Sequence, residues 1–432
     1  MEGSLSGSIG RRMENADFLP KEHRGGYFRA FDGEPEEGSA AESPAVVVEG
    51  DPVSYLGRAF RLILGGRSLV LGNPNWKEEE IRQVREQCGS LEGDEGLILV
   101  PTGGTTGSLR LAIHRWETFA CAAEGLCAGT GGGAISSFCV LPLWHVSGWM
   151  QAVRAVVTGG TWTPGHWGPL RESGFRAGAP GGDGPTLSLV PTQLEQVLQS
   201  GGGGLAFLRC FRGIFVGGAP WKSKASQAYC REEGLPILLS YGMTETAAMV
   251  TLQPIEDFLA GKLTSGKALP HAEIRVKDPD AEGNGRIAVR SRALFSGYAG
   301  RPSRRSGDWF LTSDLGRLVA GRLEISGRID RVILSGGENV DLEVVEGALR
   351  KLPGVVEALA YGERDPVWGD RLEAVIVPEP GISRSPEALG EELKAFLPAA
   401  FRPKRIRVLR KIPRNAAGKP DMGLFGGGGE AR

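Results

Sequence analysis

Residues 99–114, LVPTGGTTGSLRLAIH, gather Thr102, Gly103, Gly104, Thr105, Thr106 and Gly107 behind an apolar run. Glycines let a backbone approach an anion closely, and the hydroxyls and amides of Thr102, Thr105, Thr106 and Ser108 are donors, so this stretch can cradle phosphate. Equally, it can be a plain turn. A loop of the GxxxxGKS or GxxxxGKT kind is excluded, because no lysine follows the last glycine. In SYGMTETAAMV, residues 240–250, Tyr241 can stack on a purine and Glu245 can bind a magnesium ion that carries phosphate oxygens. The plainer alternative there is a helix start capped by Thr244. Asp314 in FLTSDLGRL and Arg328 in ISGRIDRVILSGGENV offer the acceptors and donors that a ribose diol takes, although each alone reads as a turn residue or a surface cation. Lys419 in PRNAAGKPD stands on a Gly-containing turn, where a lysine is ordinarily just solvated.

Short apolar runs must position these groups. From Glu95 onward GLILV, SSFCVLPL, TLSLV and GIFVGG end in Gly, Pro or Thr and alternate with helix-like HRWETFACAAEGLCA and PTQLEQVLQS. That alternation predicts an α/β fold with buried, largely parallel strands. Near residue 255 the texture changes to AEIRVKD, GRIAVRS and GRLEIS, which predicts an antiparallel or barrel-like, β-rich subdomain. After GRID, alternating strand and helix patterns predict a small α+β unit of roughly 100 residues. The expected organisation is a loosely ordered Gly-, Ser- and Glu-rich lead-in over 1–50, a large α/β domain over 51–329, and a small mobile domain over 330–432.

A chain of 432 residues exceeds what one core serves, so at least two domains are expected. Fifty basic and fifty-one acidic residues leave a net charge of −1, which gives no field for nucleic acid or an anionic membrane and leaves a small molecule as the expected partner. The six cysteines form no CxxC pair and read as reduced thiols in the cytoplasm. No run reaches the roughly 18 apolar residues of a membrane span, and the first residues lack a secretory core. Glu2, Glu14 and Asp17 count against a transit peptide.

Taken in order, TGGTTGSLR, LPLWHVSG, VGGAP, YGMTE, TSD, GRIDRVILSGGENV and PRNAAGK resemble the adenylate-forming superfamily of acyl-CoA synthetases, luciferases and peptide-synthetase adenylation domains, over roughly residues 95–420. The resemblance implies an AMP-forming acid:CoA ligase that uses ATP, Mg2+ and CoA. It places the β- and γ-phosphates on Thr102–Gly107, the α-phosphate on Thr244 and magnesium on Glu245. It places adenine between Tyr241 and the loop of Gly217, Gly218 and Ala219, and the ribose on Asp314 and Arg328. Lys419 would bridge the attacking carboxylate and the α-phosphate. Asp330 would be the hinge of a rotation that brings Gly336 and Gly337 to the pantetheine arm of CoA; His145 would line the acyl pocket and orient a carboxylate, the alternative being a buried hydrogen-bonded histidine, and Thr192 and Gln193 would line the acyl or pantetheine site.

Within the superfamily, LPLWHVSGWM, SLVPTQLEQVL and SGGENV look most like the o-succinylbenzoate:CoA ligases of menaquinone and phylloquinone synthesis. The alternatives are a ligase for another aryl or fatty acid, an enzyme that loads a carrier protein, and a non-catalytic nucleotide-binding relative. The second carboxylate of o-succinylbenzoate calls for a cation or several donors, which no motif singles out. Gly103 replaces the family's usual serine, Leu109–Arg110 replaces its Pro-Lys pair with the charge kept, and TSD replaces Thr-Gly-Asp with the aspartate kept. Residues 1–94 are sparse against the family's usual lead-in, which would leave apolar surface either covered by another subunit in a homo-oligomer or uncovered at a cost in stability.

Overall fold

The computed structural model describes residues 44–91, 93–103, 109–175, 184–366, 369–414, 420 and 425. Its first sheet has five strands. Ala45–Val47, Leu69–Leu71 and Leu97–Gly103 run parallel, Leu109–Arg115 returns antiparallel, and Gly297–Tyr298 closes that edge. The strand Ala45–Val47 falls inside the stretch expected as a loosely ordered lead-in. Its β-branched run AVVV suits a pleated, buried surface, which outweighs the Gly/Ser/Glu texture before it. Residues 1–43 of that lead-in lie outside the described residues.

The helix Pro52–Leu64 links the first two strands. Asp51 caps it by accepting from Ser54 N at 2.8 Å, Pro52 supplies a preset φ at the first turn, and Tyr55, Leu56, Ala59, Phe60, Leu62 and Ile63 form its buried face. Phe60 stacks on Trp149 at 5.4 Å between centroids, and Trp149 meets Phe119 edge-on at 6.2 Å. Helices Trp116–Gly129 and Val146–Thr158 are thereby joined to this layer in one core.

The central sheet has eleven strands. Trp162–Pro164, Ser137–Cys139, Thr186–Leu189, Gly213–Val216 and Ile237–Met243 lie side by side and parallel, as the apolar runs predict. Ala248–Leu252 then turns back, and Lys267–Ala268, Arg322–Arg328, Phe310–Val319, Gly285–Ser291 and Ala272–Lys277 continue antiparallel. The β-rich segment is therefore antiparallel as expected, yet it continues the parallel sheet instead of closing a barrel.

After the short 3-10 turn Ile329–Arg331, a separate sheet is built from Val332–Ser335, Glu338–Asp341, Val355–Asp365, Gly369–Pro378 and Arg405–Val408. Helices Leu342–Leu349 and Pro386–Leu393 cover it through Val345, Leu349, Leu389 and Leu393. Lys222 of the large region reaches Glu343 of this small one at 3.1 Å.

Candidate nucleotide site

Thr102 and Gly103 end one strand of a hairpin, opposite Arg110 and Leu109 of the next. Gly104, Thr105, Thr106 and Gly107 lie outside the described residues. The described residues that flank the candidate phosphate loop are two antiparallel strands, so side-chain cations near their ends are candidates to meet phosphate charge. Arg110 is one such charge. Its guanidinium lies 4.7 Å from the centroid of the Tyr298 ring, and the Tyr298 hydroxyl donates to Glu245 Oε1 at 2.5 Å. Burial, and then the Glu245 carboxylate, push the Tyr298 phenol above its ordinary range.

Glu245 is 8% exposed and sits in the 3-10 turn Thr244–Thr246 that ends the strand Ile237–Met243. Ala247 and Ala248 follow at φ of 51° and 75°, a left-handed backbone that costs a residue with a side chain about 1–2 kcal/mol. Hydrogen bonds from several elements hold this turn. Met243 N–H donates to Thr246 Oγ1 at 2.9 Å, the Thr246 hydroxyl faces Ala248 O at 2.6 Å, Phe295 N–H donates to Glu245 O at 2.9 Å, and His114 Nε2 lies 2.9 Å from Thr244 O. Among the described residues no three His, Cys, Asp or Glu side chains group into a metal cage. A lone carboxylate suits magnesium, which takes one or two protein oxygens and completes its shell from water and phosphate. It does not suit structural zinc.

Asp314 and Arg328 face each other across the hairpin of Phe310–Val319 and Arg322–Arg328. Asp314 is 6% exposed; Tyr241 Oη donates to its Oδ2 at 2.6 Å and Arg328 Nη1 to its Oδ1 at 2.9 Å. Burial raises the Asp314 carboxyl, and burial with the neighbouring Asp314 raises the Tyr241 phenol. Arg328 also donates Nε and Nη2 to Asp330 at 2.8 and 2.7 Å. Burial acts to lift Asp330, but these bonds outweigh it and hold the carboxyl below its usual value. The expected ribose pair and the expected hinge residue therefore share one guanidinium.

Gly217 and Gly218 follow the strand Gly213–Val216. A Cβ on Gly217 would lie 2.6 Å from Ser240 Oγ, so only glycine lets this loop approach the Tyr241 strand, and exposed Ala219 follows. Gly336 and Gly337, at φ of 60° and 86°, make the two-residue turn between Ser335 and Glu338. Positive φ at both positions is the hairpin turn for which glycine is favoured. His145 is the N-cap residue of Val146–Thr158, with its carbonyl accepting from Gly148 and Trp149. Thr192 and Gln193 lie in the first turn of the helix Pro191–Gln199. Lys419 lies outside the described residues; its neighbour Pro420 bridges to Arg414.

Two residues given no part in the motifs belong with these groups, and a third lies on a neighbouring helix. Tyr298 and His114 reach Glu245 and Thr244 from 53 and 130 positions away. The third is Arg154 on the helix that His145 begins, 2% exposed, with Nε and Nη1 making no hydrogen bond among the described residues. A pattern reading sees a charged residue inside an apolar helix, VSGWMQAVRAVVT, but cannot see that the charge is buried.

Burial also lowers the His114 imidazole to about 4. Between that value and the ordinary 6.5 of the unfolded chain, the unfolded state binds a proton that the folded state does not. Stability is then complete above pH 6.5 and falls as pH drops towards 4, by up to about 3 kcal/mol from this group. Urea unfolding at pH 7 and pH 4.5 checks this: His114→Gln should lose measurably less stability on acidification than the parent protein.

Residues 58–299 match the AMP-binding enzyme family model, and residues 344–419 match that of the AMP-binding enzyme C-terminal domain. The chain belongs to the AMP-binding enzyme family. As an AMP-binding enzyme it is similar to the 2-succinylbenzoate-CoA ligase of Enterococcus faecalis, 30% identical over 351 residues that cover 78% of this chain and 70% of that protein. It is also similar to the 2-succinylbenzoate-CoA ligase of Listeria monocytogenes, 30% identical over 361 residues, 81% of this chain and 72% of the relative. The fold is shared with o-succinylbenzoate CoA synthetase from Bacillus subtilis in complex with the acyl-adenylate intermediate OSB-AMP, at a TM-score of 0.74 and 22% identity over 99% of this chain and 93% of that one. It is shared too with ATP-bound MatB from Rhodopseudomonas palustris, at a TM-score of 0.71 and 22% identity over 90% and 89% of the two chains. In this AMP-binding enzyme, Asp314, Arg328, Asp330, Gly336 and Gly337 occupy the stretch between the two matched regions. No helix among the described residues is long and apolar enough to cross a membrane, and all six cysteines are free.

Proposed function

We propose that this AMP-binding enzyme is an ATP-dependent acid:CoA ligase whose acid is o-succinylbenzoate, serving menaquinone or phylloquinone synthesis. The substrate carboxylate attacks the α-phosphorus of ATP, giving acyl adenylate and pyrophosphate; the CoA thiol then attacks the acyl carbon and AMP leaves. Charge builds on phosphorus oxygens in the first step, so preorganised donors and cations carry most of the acceleration. Asp314 and Arg328 orient the ribose, Tyr241 and the Gly217–Ala219 loop enclose adenine, and Thr244 contacts the α-phosphate. Glu245 would hold magnesium, which would supply charge neutralisation for the phosphates. Lys419 completes the adenylation site, and rotation about Asp330 exchanges it for the Gly336–Gly337 turn.

Arg154 is the observation that carries the choice of acid. Its guanidinium is buried, packs 5.7 Å from the Phe215 ring two residues before Gly217, and leaves two N–H groups without a partner among the described residues. Burial lowers its pKa to about 10, so it stays charged at neutral pH. A buried cation with unused donors is costly until an anion completes it. An acid with a second carboxylate provides that anion, which benzoate, 4-coumarate and a fatty acid do not. The reduced thiols and the biosynthetic relatives support a cytoplasmic location.

Thioester formation from Mg-ATP, CoA and each of these four acids tests the proposal. The expected result is kcat/KM at least about tenfold higher for o-succinylbenzoate, as one charge-assisted bond supplies. Preference for another acid would refute the substrate and retain the ligase.

A further inference from the structure

Of the residues that touch the Thr244–Glu245 turn, His114 has no part in the chemistry described above. It lies on the strand Leu109–Arg115 that leaves the phosphate loop, fully buried, with its ring stacked on Phe119 at 4.7 Å. A carbonyl only accepts, so the 2.9 Å contact to Thr244 O makes Nε2 the protonated nitrogen. Burial keeps the imidazole neutral, so Nδ1 is an acceptor, and the hydroxyl that faces it at 3.0 Å is that of Thr118. The Thr118 hydroxyl has one proton and donates it to Arg115 O at 2.8 Å, so it is the Thr244 carbonyl that fixes the tautomer, with Thr118 Oγ1 beside Nδ1 as a shared neighbour.

We infer that His114 is a positioning residue for adenylation: its Nε2–H holds the Thr244–Glu245 peptide and so aims the Glu245 carboxylate from the strand that carries the phosphate loop. This deepens the proposed function and rests on Glu245 as the magnesium ligand. The turn needs such a hold, because Ala247 and Ala248 directly after it keep a left-handed backbone that relaxes unless its surroundings prevent it. Phe295 N–H secures Glu245 O and Tyr298 secures the carboxylate, while His114 secures the preceding carbonyl. Partners that orient a metal-binding group in this way are worth about 10- to 100-fold in metal affinity.

The test is Mn2+ binding, read by electron paramagnetic resonance in the presence of a non-hydrolysable ATP analogue, alongside the Mg2+ dependence of pyrophosphate release. His114→Leu should weaken Mn2+ by about 10- to 100-fold and raise the Mg2+ requirement in parallel. His114→Gln keeps an N–H donor on a similar reach and should stay within about threefold of the parent. The 15N shifts of His114 should report the Nε2–H tautomer in the parent protein. Unchanged Mn2+ affinity in folded His114→Leu, or equal damage in the Gln and Leu variants, would overturn the inference. Should Leu not fold, an Nδ1–H tautomer in the parent protein, or a folded His114→Gln variant whose Mn2+ affinity falls by about tenfold or more, overturns the inference instead. Glu245→Gln separates the underlying reading: if it too leaves Mn2+ binding unchanged, the magnesium assignment itself is wrong.

Discussion

Lys419→Ala lowers acid-dependent pyrophosphate release by on the order of 10² to 10³, the cost of removing one donor aimed at developing oxyanion charge. Thioester formation from supplied acyl adenylate and CoA keeps most of its rate. The asymmetry follows from the chemistry. In adenylation two anions, the carboxylate and the α-phosphate, must meet, and an ammonium between them offsets their repulsion as the bond forms. In the second step a thiol attacks an already activated acyl carbon, and under the proposed rotation about Asp330 the lysine is no longer at the site. Lys419→Arg should rescue poorly, because a planar fork does not replace a compact ammonium between two oxygens. Rapid-quench measurement of each half-reaction checks this. Equal losses in both would show that Lys419 serves the small domain's structure or acts throughout.

Arg154→Leu raises the KM for o-succinylbenzoate by on the order of 10² to 10³ while it makes the protein more resistant to urea. The loss in binding is that of a buried charge-assisted pair, about 3–4 kcal/mol. The gain in stability comes from replacing a buried, incompletely bonded charge by an apolar side chain among Phe215 and its neighbours. Opposite signs in the two measurements are the diagnostic point, since a residue that merely packs would lose both. Benzoate, lacking the second carboxylate, should be turned over by parent and variant alike. Unchanged KM for o-succinylbenzoate would remove Arg154 from the acyl site.

Much of this was legible in the chain itself. The strands Thr186–Leu189 and Gly213–Val216 are short apolar runs bounded by Gly, Pro or Thr, and they sit in a parallel sheet as such runs should. Tyr241, Asp314 and Arg328, each unremarkable alone, were set apart by the order of the motifs around them, and they meet in one hydrogen-bonded group. Partnership between distant residues was not legible. Nothing near His114 points to a carbonyl 130 positions away, and nothing near Tyr298 points to Glu245. Sheet membership was hidden for the same reason: alternation in AEIRVKD records which face is wet, and says nothing of whether the strand joins its neighbours or closes apart. Arg154 was missed because local pattern shows where a charge falls on a helix and not what packs over it.

The most direct test of acyl-adenylate chemistry is exchange of labelled pyrophosphate into ATP, measured with o-succinylbenzoate present and CoA absent. Label should enter ATP only when the acid is present and without any need for CoA, because adenylation is reversible and complete before the thiol arrives. Exchange that requires CoA, or turnover that yields ADP and phosphate in place of AMP and pyrophosphate, would contradict it.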